Sequence, residues 1–188
     1  MIPPEYMDPS KIKMRICADL YKCKRPGMDG LLSWLSKSDY FSAPASTQYH
    51  GVFAGGLAAH SASVRDIFVR RCHDYDFAIP VESANIAGYL HDACKIDYYF
   101  PNVLKDGKIS EAKPYVTKDS FPLGHGEKSV ALIQKHIQLS EIEMMLIRWH
   151  MGGFDPAWND YKDSVLDKYP QVLAFHHADY ETSRFYGL

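Results

Sequence analysis

No stretch of this chain approaches the roughly eighteen consecutive apolar residues that a membrane helix needs, so no segment is expected to span a bilayer. Its start, Met1-Ile2-Pro3-Pro4-Glu5-Tyr6, lacks a positive region leading into an apolar run, so no secretory signal is expected there. Cysteine is scarce. Cys17, Cys23, Cys72 and Cys94 show neither a CxxC spacing nor a disulfide framework, which suits a reduced, cytoplasmic protein. A basic excess is also missing. With 21 Lys+Arg against 23 Asp+Glu, the net charge is -2, and strong binding to duplex nucleic acid is not expected. Internal repeats and low-complexity linkers are absent. The length of 188 residues and the 46% hydrophobic content suit one soluble domain with an ordinary core.

Helical periodicity dominates what remains. Asp8-Pro9 makes a cap and first-turn pair for a helix to about Leu20. Arg25-Pro26-Gly27 breaks the chain before a short helix through Leu31, Leu32, Trp34 and Leu35. The segment Phe41 to His50 reads as a loop because Pro44 and hydroxyl residues interrupt it. A long helix follows Gly55-Gly56, with His60 on the same stripe as Leu57, Val64, Ile67 and Phe68. The next opens at Pro80 and buries Ala84, Ala87, Leu90 and His91. Residues 97–120 carry aromatic and β-branched residues around Asp106-Gly107, a hairpin with its turn at Lys105 to Lys108. His125 falls in the first turn of a helix after Gly124. Ser140-Glu141-Ile142-Glu143 is a capping box for a helix facing inward with Leu146, Trp149 and His150. Met151 to Trp158 reads as a loop. Pro170 starts a last helix with Val172, Phe175, His176 and Asp179 on one face. The expected fold is mainly α, a helical bundle with a small hairpin insertion.

Nine histidines lie along the chain. His60, His91-Asp92, His125, His150 and Asp179 form an ordered series of six residues of ligand type, each on or at the end of a predicted helix and facing inward. One buried histidine is most simply a satisfied core residue. A buried carboxylate is costly unless something compensates its charge. Imidazoles and carboxylates together suit divalent ions of the zinc, manganese, iron and nickel kind, so the series is read as a metal centre.

The order His…His-Asp…Asp, here His60, His91-Asp92 and Asp179, resembles the signature of the HD-domain superfamily of metal-dependent phosphohydrolases. His125 and His150 resemble the extra histidines of its two-metal subgroup. Local strings agree: Gly55-Gly56-Leu57-Ala58-Ala59-His60, Leu90-His91-Asp92-Ala93-Cys94-Lys95, Gly124-His125-Gly126-Glu127 and His176-His177-Ala178-Asp179. The resemblance covers about residues 41–184, which would form the HD core, with residues 1–40 as N-terminal helices of the same single domain, 1–188.

The resemblance implies that His60, His91, Asp92 and Asp179 hold a first ion, and that Asp92 bridges to a second held also by His125 and His150. Met151 stands where some relatives have a further histidine. The implied cofactor is one or two divalent ions, among Mn, Fe, Ni, Zn, Co and Mg. The implied reaction is hydrolysis of a phosphate ester or anhydride by a metal-activated water, with Asp92 and Lys95 as catalytic residues. Lys95, Arg184 and His50 are the candidate substrate contacts, and Glu127 and His176 the candidate supports of the ligands. The substrate class is a small phosphorylated molecule, a nucleotide or short oligonucleotide. Two alternatives stay open: a di-iron oxygenase of the same fold, and a binding or regulatory module with an inactive site. The sequence says nothing on oligomeric state.

Overall fold

The structure, a computed structural model, describes residues 2–188. Asp8 starts helix α1 (Pro9–Lys22) by accepting from the amides of Ser10 and Lys11, while Pro9 sits where an amide has no helical partner anyway. Ile12, Ile16 and Leu20, four residues apart, are its buried stripe. The chain turns at Gly27, whose φ of +87° favours glycine and where a side chain would strike the His136 main-chain oxygen. Helix α2 (Met28–Lys37) follows. Residues 38–55 form an irregular loop, as its Pro and hydroxyl content predicts.

Helices α3 (Gly56–Asp74) and α4 (Val81–Leu90) make the largest helix–helix contact, and α3 also packs on α8 (Gln171–Glu181). Both α3 and α4 are buried on most sides, α4 from Ser83 through Leu90. Helix α6 (Glu141–Trp149) packs on α4, on α8 and on α5 (His125–Ile133). Phe68 of α3 meets Phe175 of α8 edge to face at 4.8 Å, and the ring of His91 rests edge-on against the same Phe175 at 5.6 Å. Helices α1 and α2 do not stand apart. Their Ile16, Leu20, Leu31 and Leu35 belong to the same continuous core as Leu57, Phe68, Leu90 and Leu146.

Two polar anchors were not legible locally. Arg25, in the break after α1, reaches Glu143 with both terminal nitrogens, at 2.5 and 3.0 Å. Glu143 is fully buried, accepts from Ser83 at 2.8 Å and also closes the expected capping box with Ser140. Arg15 of α1 grips Asp66 of α3, and the Tyr6 hydroxyl donates to the same carboxylate at 2.8 Å.

The expected hairpin exists but is small. Strand β1 (Tyr99–Pro101) pairs antiparallel with β2 (Tyr115–Thr117), Phe100 opposite Val116. An isolated bridge joins Val103 to Ile109, and the turn lies at Leu104 to Lys108, where the Leu104 amide donates to the Lys108 carbonyl at 2.8 Å. Pro101 and Pro114 limit the ladder. One helix was not expected, α7 (Trp158–Lys168). Only Val165 of it is buried, so its apolar pattern is faint. Among the described residues, no helix is long and apolar enough to cross a membrane.

Candidate metal centre

Five helices deliver the six residues of the series. His60 lies in the second turn of α3, on its buried side. His91 ends α4, and the backbone then tightens into a single 3-10 turn, Ala93–Lys95, which puts Asp92 at the junction. His125 opens α5, His150 ends α6, and Asp179 lies near the end of α8. Helix ends suit this role because their side chains can aim inward without competing with a packed stripe. His60, His91, Asp92 and His150 are at most 2% exposed.

Hydrogen bonds fix the rings. Nδ1 of His60 lies 3.1 Å from the Leu188 carbonyl, Nδ1 of His91 2.9 Å from that of Gly88, and Nδ1 of His150 2.7 Å from that of Ile147. A carbonyl only accepts, so each Nδ1 carries the hydrogen, and in the neutral ring Nε2 is a bare lone pair. Those bare nitrogens point at one another. Nε2 of His60 is 3.2 Å from Nε2 of His91, and Nε2 of His150 is buried with no partner. Two facing lone pairs repel, and an orphaned buried acceptor is unfavourable. A shared cation relieves both, so the residues present fit a metal. Tying the far ring nitrogen to a carbonyl is also how ligand histidines are held in register.

Asp92 sits between two halves of the cluster. Its Oδ2 is 3.5 Å from Nε2 of both His60 and His91, while Asp179 Oδ1 lies 3.1 Å from His60 Nε2. Its Oδ1 is 2.8 Å from Nε2 of His125 and 3.5 Å from Nε2 of His150. Three groups of donor atoms, each within 4.8 Å of one another, result: His60-His91-Asp179, His91-Asp92-His150 and Asp92-Cys94-His125.

Burial opposes charge on Asp92, but the Lys95 ammonium and a hydrogen bond from His125 outweigh it and hold the carboxyl well below its usual range. Burial likewise opposes charge on Asp179, and His60 overrides it. For His91 burial wins, pulling the ring down to about 3 and keeping it neutral. Burial would lower Lys95; its 2.7 Å contact with Asp92 Oδ2 holds it above the usual lysine value instead. Burial also opposes charge on His125, which Cys94 and Asp92 beside it raise to about 10.

Asp92, His125 and Asp179 of the cluster, with Cys94, line a cavity of about 710 Å³. Ser46, Thr47 and His50 enter it from the irregular loop, Tyr98 and Tyr99 from the hairpin side, and Phe154, Tyr180 and Arg184 from the far rim. The His50 ring is 5.4 Å from that of His60, and burial pulls its pKa to about 3. Arg184 stacks over Tyr180 at 5.3 Å. His176 lies 2.7 Å through Nδ1 from the His150 carbonyl and lines the cavity, so it steadies the end of α6. Glu127 goes elsewhere. Its Oε1 pairs with Arg148 at 2.5 Å, and the structure records no contact from it to a ligand histidine.

Sequence reading missed Cys94, because no spacing pattern marked it. It also missed Leu188 as the anchor of His60 and Gly152. Gly152 has φ +49°, and a side chain there would meet the His176 ring at 2.6 Å. Comparison with protein-family models, with curated proteins and with solved structures finds no match.

Proposed function

We propose that this chain is a metal-dependent phosphohydrolase of the HD type, cleaving a phosphate ester or anhydride in a nucleotide or short oligonucleotide. The observation that carries the reading is the convergence of bare Nε2 atoms from His60, His91 and His150 on the ionised Asp92, with Asp179 and His125 completing the set. Held there by these residues, one or two divalent ions would supply Lewis acidity toward phosphate oxygens and a water acidic enough to attack phosphorus. The imidazole-rich set suits manganese, iron, cobalt, nickel or zinc better than magnesium.

The chain's own residues have separable tasks. Asp92 presents one oxygen to each half of the cluster. Lys95 borders the cavity with its ammonium beside Asp92 and can bind a nonbridging phosphate oxygen as charge builds. Arg184 offers a planar fork at the rim. His50, held neutral, can hydrogen-bond a phosphate or leaving oxygen without adding charge. What supports a nucleotide is the exposed aromatic pair Phe154 and Tyr180, stacked at 5.9 Å beside the cavity, which suits a base. The cavity volume and the chain's net charge of -2 favour a small substrate over a long polymer.

Elemental content of the purified protein, followed by turnover of bis(p-nitrophenyl) phosphate, a nucleotide panel and short oligonucleotides with manganese and then chelator, tests this. The expected result is bound metal and turnover that chelation abolishes and metal restores. Metal-free protein that hydrolyses nothing under any added ion would overturn the proposal. Oxygen-bridged iron spectra without phosphate turnover would move the assignment to oxygenase chemistry.

A further inference from the structure

The donor cluster contains a sulfur atom that the phosphohydrolase reading does not use. Cys94 Sγ lies 3.4 Å from Nε2 and 3.5 Å from Nδ1 of His125, and it borders the cavity. Its position is set on both sides. The Cys94 amide donates to Ser129 Oγ at 3.0 Å, and that hydroxyl donates to the His125 carbonyl at 3.5 Å. Ser129 therefore ties the backbones of Cys94 and His125 together, one turn inside α5. A second observation points to a ligand at the shared carboxylate: His150 Nε2, fully buried and unpartnered, is 3.5 Å from Asp92 Oδ1, the oxygen that His125 also approaches, and belongs to the adjoining donor group His91-Asp92-His150.

We propose that the thiolate of Cys94 is a direct ligand of the second ion, joining Asp92 and His125 in that ion's donor set. The proposal rests on reading the cluster as a metal centre and goes beyond it by naming a ligand and a metal preference. Tetrahedral bonds of ordinary zinc–nitrogen, zinc–oxygen and zinc–sulfur length place neighbouring donors roughly 3.3–3.6 Å apart. The Cys94–His125 separation, 3.4 Å, matches that spacing. The 2.8 Å contact between His125 and Asp92 is the hydrogen bond that an ion would replace. On binding, the thiol proton leaves to water and the sulfur lone pair forms the new bond. A soft sulfur donor makes this position select zinc, cobalt or ferrous iron over manganese or magnesium. Cys17, Cys23 and Cys72 fall in no group of metal-type donors among the described residues, so a sulfur–metal signature reports on Cys94.

Cobalt(II) titration of the metal-stripped, reduced full chain tests this by absorption. The expected spectrum has visible d–d bands together with a near-ultraviolet sulfur-to-cobalt charge-transfer band. Cys94→Ser should keep d–d bands, lose the charge-transfer band, and bind the second zinc at least about tenfold more weakly. Visible bands without charge transfer in the unsubstituted protein would overturn the thiolate assignment and leave the metal centre standing. A charge-transfer band that survives in Cys94→Ser would overturn it as well. Absence of any cobalt spectrum would overturn both. The unsubstituted protein's spectrum decides the matter even if the variant does not fold.

Discussion

An imidazole whose Nδ1 is committed to a carbonyl has one chemistry left, and at His60, His91 and His150 that remaining lone pair is aimed at another acceptor. Asp92 is the residue on which this arrangement turns, because each of its oxygens serves a different half of the cluster. Asp92→Asn keeps the volume and removes the charge. Elemental analysis of that variant should find the metal lost, and turnover should fall by more than about a hundredfold. Lys95 separates binding from chemistry. Its contact is to Asp92 Oδ2 and to the cavity, and its ammonium has no lone pair to give a metal. Lys95→Met should therefore keep its metal while kcat/KM drops about a hundredfold. Equal metal content with unchanged kcat/KM would remove Lys95 from the reaction. The six ligand-type residues were legible in the sequence because each falls on an inward stripe or helix end. Cys94 was not, since a lone cysteine carries no spacing signal and its relation to His125 exists only after α5 packs against the Ala93–Lys95 turn.

The elements explain why the ligands meet. Helix α4 carries His91 and Asp92, and its position depends on close approach to α3 at Gly88. A methyl group there would run into Arg65, whose Cα lies 2.7 Å from the added carbon. Gly88 also supplies the carbonyl that orients His91. Gly88→Ala should lower stability by about 1–3 kcal/mol and weaken metal binding at the same time. Thermal melts and metal titration on one preparation check both. Unchanged affinity alongside lost stability would separate the helix packing from the site. Among the described residues, seven of the eight α-helices followed from periodicity, caps and breakers, and so did the hairpin turn at Asp106-Gly107. Helix α7 escaped because it buries one side chain, Val165, and a pattern that reports burial is silent where little is buried. The hairpin strands came out shorter than their aromatic content suggested, since proline removes a ladder donor at Pro101 and Pro114.

At the scale of the whole molecule, the core is tied by two ion-pair anchors, Arg25–Glu143 and Arg15–Asp66, each joining distant stretches of chain. Such pairs leave no local trace in the sequence, because each partner looks like a surface residue until the fold is known. Burial opposes charge on both acids, yet Arg25 keeps Glu143 below its ordinary 4.5 and Arg15 keeps Asp66 below its ordinary 3.8. The folded carboxyls thus bind protons less readily than the unfolded ones. Their stabilisation is complete above those ordinary values and is lost as pH falls through the depressed folded ones. Urea unfolding midpoints should hold steady from pH 7 to about 5 and drop steeply below about 4. Glu143→Gln should cost about 3 kcal/mol at neutral pH, as for a broken buried pair, and should flatten the acid decline. A variant with the same acid slope would assign that decline to other groups.

Anomalous X-ray scattering from crystals grown with zinc or manganese tests the central claim most directly. The account predicts a peak roughly 2.0–2.2 Å from Nε2 of both His60 and His91 and from carboxylate oxygens of Asp92 and Asp179. With zinc, a second peak should lie on the His125 side of Asp92. Well-ordered crystals soaked in either ion that show these six side chains free of any anomalous peak would contradict it.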